Sequence, residues 1–146
     1  MKARVLRRIS ALLAIAVLCG CSALPEEDAR VKAVRAFFSG QNVLITYREG
    51  GALYGTYYFL RVQFCRSGNY TLVGESHHRT MLDNDQASSW QDRGKWNIET
   101  VAGQAGMRCV SVSGQSAFYP SKGVPQGDKW VVEGVTAIRQ GPAQCN

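Results

Sequence analysis

The spacing of apolar and polar positions changes character along this chain. Residues 9–18 are apolar apart from Ser10, a run of half the roughly 20 residues that a helix needs to span a hydrocarbon core. Further on, Val31, Val34, Phe37 and Phe38 recur at the spacing of one helix face, and Gly40 stops the run. Pro25 suits a first helical turn, and Glu26, Glu27 and Asp28 suit the positive end of a helix dipole. The pattern predicts a helix over about residues 26–38. Its apolar face is expected to pack on the domain and not on a lipid surface, because Arg30, Lys32 and Arg35 are balanced by those three acids.

After Gly40 the period becomes two. Strands are predicted at residues 43–47, 53–65, 70–75, 94–101, 107–113 and 130–138, with turns at Glu49-Gly50-Gly51 and at Arg66-Ser67-Gly68-Asn69. Residues 76–94 read as a polar segment, and residues 114–127 as a loop. The expected fold is mainly β with one N-terminal helix: a small antiparallel meander sheet, either barrel-like or folded into two layers. No internal repeat or low-complexity stretch is visible, and residues 26–146 form a single β-rich domain in this reading.

Lys2, Arg4, Arg7 and Arg8 precede the first apolar run, which closes on Leu18-Cys19-Gly20-Cys21. A positive start, a short apolar stretch and a small-residue end are the marks of a secretion signal. The tetrapeptide resembles the lipobox of bacterial lipoproteins: an aliphatic residue, a small one, Gly or Ala, then Cys. That resemblance implies that residues 1–20 are removed, that Cys21 is lipidated and becomes the new N-terminus, and that residues 21–25 are a tether to a bilayer held through acyl chains. Cys19 fills a slot more often taken by Ala or Ser. It is not the lipidated residue in this reading, because Leu18 before it is too bulky for the cut. In the same family Ser22 after the Cys goes with transfer to the outer membrane, so the expected address is the cell envelope, lipid-anchored at the outer membrane and facing the periplasm.

The signal corrects the charge. The chain has 17 Lys and Arg against 11 Asp and Glu, and removing the four basic residues of the signal leaves 13 against 11. No Lys/Arg run remains, so nucleic acid is not an expected partner. Three cysteines also remain, Cys65, Cys109 and Cys145, and an oxidising compartment favours a disulfide between two of them. If the strand at 107–113 and the one ending at 138 were antiparallel neighbours, Cys109 would face the tail that carries Cys145. Alternation would turn Val110 and Val112 inward and Cys109 outward. Cys109–Cys145 is therefore the expected bridge, with Cys65 as the alternative partner.

Chemistry has few candidates. His77 and His78 lie near Asp83, Asp85 and Asp92, but adjacent histidines on a strand point to opposite faces, so no metal is expected. Asp83-Asn84-Asp85 opens like a calcium loop, yet Ser88 stands where that loop needs Gly and Gly94 where it needs Glu. Gly114-Gln115-Ser116-Ala117-Phe118 lacks the last glycine of a hydrolase elbow. No catalytic residue and no cofactor are expected.

Aromatic residues crowd the first meander. Tyr54, Tyr57, Tyr58, Phe59, Tyr70 and, later, Trp96 make up the candidate binding surface. Gly94-Lys95-Trp96 resembles the Gly-x-Trp strand element of lipocalins, small β-barrels with apolar cavities. Phe64-Cys65-Arg66-Ser67-Gly68 resembles a stretch of the small barrel-shaped lysozyme-inhibitor lipoproteins. Two functions are consistent with these residues: a noncatalytic envelope lipoprotein whose β-domain binds a protein partner, and a lipocalin-like binder of a small apolar ligand.

Overall fold

The computed structural model describes residues 28–51, 54–80 and 85–146. The signal segment, Cys21 and the tether lie outside the described residues. Helix α1 (Ala29–Phe38) is capped by Asp28, whose side chain accepts a hydrogen bond from the Arg30 N–H at 2.9 Å. The acid expected inside the first turn thus caps the helix from outside it. The four apolar positions at helical spacing, Val31, Val34, Phe37 and Phe38, are the buried ones.

Eight strands follow: β1 (Gln41–Gly50), β2 (Gly55–Phe64), β3 (Asn69–Arg79), β4 (Gln86–Val101), β5 (Gln104–Ser111), β6 (Ser116–Pro120), β7 (Lys129–Val132) and β8 (Val135–Pro142). They form one antiparallel sheet in the order β6-β5-β4-β3-β2-β1-β8-β7, curled into a half-barrel. The strand at residues 130–138 is in fact a hairpin, β7 and β8, turning at Glu133 and Gly134, both with positive φ. The predicted loop at 114–127 contains β6. The polar segment at 76–94 is strand at both ends, since β3 runs to Arg79 and β4 starts at Gln86. Those residues lack an alternating pattern because none of the described ones is buried, so no face needs to be apolar.

Helix α1 lies against the inner side of the curve. Phe38 meets Phe64 edge to face at 5.0 Å, Phe64 meets Trp96 at 5.3 Å, and Phe37 meets Trp130 at 5.9 Å. Val43, Val62, Tyr70, Ile98, Met107 and Ala137 complete this core. Pairing of Val43 with Val62 and of Ile98 with Met107 sets the register, since a slip of one residue would turn every such side chain outward.

The disulfide joins Cys65 to Cys145, with Cα atoms 5.8 Å apart, and Cys109 is free. This corrects the expected Cys109–Cys145 bridge, and topology supplies the reason. β8 pairs with β1, not with β5. Because β1 is antiparallel to both β2 and β8, Gln41 sits beside Phe64 on one side and Pro142 on the other. The residues just beyond those strand ends, Cys65 and Cys145, are thereby brought to the same end of the sheet. The face of Cys109 is also the reverse of the expectation: it packs with Met107 against the core, while Val110 and Val112 are exposed.

Candidate docking surface

Four strands outrun their flanking neighbours. β8 covers β1 only over Gln41–Thr46, and β5 covers β4 only from Gly94 onward. Beyond those points β1 to β4 pair only among themselves, up to Gly50 opposite Gly55 and His78 opposite Gln86. The result is a four-stranded extension of the half-barrel, and Tyr57, Tyr58 and Phe59 of the aromatic surface singled out in the sequence stand on it.

On the inner face, Tyr47 and Tyr58 are directly opposite each other and stack at 4.5 Å with planes 9° apart. Trp90 meets Tyr58 at 6.3 Å, edge to face. Gly74 makes this possible, because a Cβ at that position would come within 2.3 Å of the Trp90 indole. The Tyr58 hydroxyl donates to Glu49 at 3.2 Å. Burial, and then the neighbouring Glu49 carboxylate, push the Tyr47 phenol above its usual range.

On the outer face, the Arg48 guanidinium lies over the Tyr57 ring at 5.1 Å, and Phe59 meets the His77 ring at 5.8 Å, edge to face. The His77 Nδ1 is 3.6 Å from an Asp85 carboxylate oxygen. Tyr57, Phe59, His77, Arg79 and Asp85 line a hollow of about 420 Å³ that is broadly open to solvent. Phe59 is 38% exposed and Tyr54, beside the extension, 56%.

Two members of the predicted surface are elsewhere. Tyr70 and Trp96 are buried in the core, which removes them from any docking face. Both lie on the inner side of the sheet in the helix-covered region, where the alternation of β3 and β4 turns them toward Phe64 and α1. The Trp96 indole N–H donates to the Cys65 carbonyl at 3.0 Å. The Tyr70 hydroxyl and the Ser111 hydroxyl each donate to Asp92 at 2.6 Å. Burial alone would raise the Asp92 carboxyl, but those hydrogen bonds outweigh it and hold it below the usual carboxylate range. Burial, and then the Asp92 charge, push the Cys109 thiol up to about 11, so it stays protonated and unreactive at neutral pH.

His77 and His78 point to opposite faces, His77 to Phe59 and Asp85 and His78 to the Thr56 hydroxyl at 2.9 Å. Among the described residues no three His, Cys, Asp or Glu side chains are grouped as metal ligands. Tyr47, Arg48, His77 and Trp90 belong to the extension and were missed as surface residues. A usable signal for Trp90 was present, since residues 86–93 contain no Gly, Pro or Asn and so carry few marks of a loop. In comparisons with protein-family models, curated proteins and solved structures, none matches this chain.

Proposed function

We propose that this chain is a lipid-anchored, noncatalytic envelope protein whose β-domain docks a protein partner through the four-stranded extension. The carrying observation is the display of Tyr57 and Phe59 on one face of the extension and Tyr47, Tyr58 and Trp90 on the other, all beyond the core beneath α1. Aromatic rings with Arg48 and Arg79 among them have the composition of an interface centre. The hollow beside Phe59 is open and mixed in polarity, and the inner curve beneath α1 is filled by aromatic and branched side chains. That filling favours protein docking over the enclosure of a small apolar ligand.

A photo-reactive phenylalanine analogue placed at position 59 tests the docking. It is expected to capture one envelope protein repeatedly, with no capture from the same analogue at Val101, which is equally exposed at the far end of β4. Equal products from both positions would overturn the reading. The anchor is tested separately by labelling cells with a palmitate analogue, where wild type is expected to be labelled and Cys21→Ser is not.

A further inference from the structure

We infer that the inner face of the extension takes an arginine side chain from a basic segment of the partner. The inference rests on the docking reading and names the chemistry that the inner face selects.

The sheet separates charge by face. Side chains at odd positions of β1 and at even positions of β2, β3 and β4 point inward, the side on which Tyr47 stacks on Tyr58 and on which Tyr70 and Trp96 join the core. By that parity every Lys and Arg of the four strands, namely Arg48, Arg61, Arg79, Arg93 and Lys95, lies on the outer face. The inner face holds two carboxylates of these strands, Glu49 and Asp92, with no Lys or Arg of the same strands beside them. On the outer face, by contrast, Glu75 is paired with Arg61 and Glu99 with Arg108.

The inner carboxylates border an aromatic corner. The Trp90 indole occupies the space over β3 that Gly74 leaves open, and Tyr58 stands beside it at an angle of 75°, with ring centroids 6.3 Å apart. Trp90 remains 38% exposed, whereas Trp96 and Trp130 are buried. Toward the tip, Glu49 accepts from the Tyr58 hydroxyl. Toward the core, Asp92 follows Trp90 by two residues on the same face, about 7 Å along the strand. An exposed indole with a near-perpendicular ring and flanking carboxylates attracts a cation, and Trp is the best ring for that contact. A guanidinium suits the corner better than an ammonium, because it is planar, stacks on the ring and still directs N–H groups to a carboxylate.

Other ligands fit this face less well. An anion would meet no Lys or Arg, and His78, on the same side, is already bonded to the Thr56 hydroxyl. Glu49 accepts from Tyr58, and both Asp92 oxygens accept from hydroxyls, those of Tyr70 and Ser111. Those bonds take up acceptor capacity that the hydroxyl groups of a sugar would need, while the negative charges persist.

Peptide binding to the purified full chain tests the inference. The probe is a fluorescein-labelled glycine peptide carrying two arginines, read by anisotropy. Its control is the same peptide with citrulline, which keeps the shape of arginine without the charge. The arginine peptide is expected to bind about tenfold more tightly than the control, and to weaken as salt rises from about 50 to 500 mM. Trp90→Ala is expected to weaken it about tenfold and Glu49→Gln about threefold. Gly74→Ala keeps the indole but places a Cβ 2.3 Å from it, so it should lose as much binding as Trp90→Ala while its urea midpoint stays near that of wild type. Absence of binding, equal binding of the citrulline peptide, or wild-type affinity in Trp90→Ala would each overturn the inference. Displacement of the arginine peptide by chitotetraose would assign the corner to a sugar and overturn it as well. Capture from position 59 that persists when arginine selectivity fails would leave the docking reading standing and overturn this inference alone.

Discussion

The half-barrel has two regions built from the same four strands under different constraints. Beneath α1, β1 to β4 are flanked by β5 and β8 and covered on their inner face, so their inward positions are Val43, Val62, Phe64, Tyr70, Trp96 and Ile98. A few rows further along, the same strands have no helix above them and no β5 beside them. There the inward positions are Tyr47, Tyr58, Ser76 and Ser88, a row set by β1, β2, β3 and β4 in register. Burial selects shape and hydrophobicity in the first region. In the second, backbone pairing and cross-strand side-chain contacts hold the strands without a covered core, which leaves exposed side-chain surface available for recognition. The difference shows that strand length, not a separate domain, creates the candidate surface.

Truncating the covered region should have the largest effect. Phe64 is almost fully buried between Phe38 and Trp96, and Phe64→Ala is expected to cost about 4 kcal/mol in denaturant unfolding. Removal of the disulfide by Cys65→Ala with Cys145→Ala comes next. The bridge closes a span of 80 residues, and its loss is expected to cost about 3 kcal/mol. A double variant as stable as wild type would show that β1–β8 pairing alone fixes the C-terminal tail, and would weaken the contrast between the two regions.

A smaller effect is expected at the boundary between them. Asp92 is held below the usual carboxylate range, so its contribution to stability is present at pH values above that range and lost as the pH falls through its folded value. Tyr70→Phe removes one of its hydrogen-bond donors while keeping the buried ring. The expected loss is about 1.5 kcal/mol near neutral pH. It should narrow below about pH 4, where Asp92 gains a proton in the unfolded chain and then in the folded one. Urea midpoints across that pH range check the sign, and a gap that widens on acidification would contradict the assignment of Asp92 as the charged partner.

The two regions were unequally legible in the sequence. The helix face and the meander of the covered half follow from spacing, because burial demands apolar residues at periods of 3.6 and 2. Residues 76–94 gave no such signal, since strands exposed on both faces satisfy their backbone without any alternation. The disulfide depended on strand order, and placing β8 beside β1 instead of β5 needs contacts distant in the sequence. Tyr70 and Trp96 were grouped with the exposed aromatics because composition alone does not give the face. Parity relative to Phe64 does, and it sends both of them inward while Tyr57 and Phe59 point out.

The smallest effect on stability should fall on the outer face of the extension, which makes it the sharpest discriminator. Tyr57→Ala and Phe59→Ala remove rings whose partners are Arg48 and His77 on neighbouring strands, not the core. Each is expected to lower stability by about 0.5 kcal/mol, the scale of one cross-strand pair. If the extension is a docking surface, Tyr57→Ala should nonetheless sharply reduce capture by the photo-reactive residue at position 59 while leaving the urea midpoint nearly unchanged. The opposite pattern, intact capture with a large loss of stability, would mean that these rings hold the extension together. The division between a covered half that folds the protein and an open half that recognises a partner would then fail at the residues on which it rests.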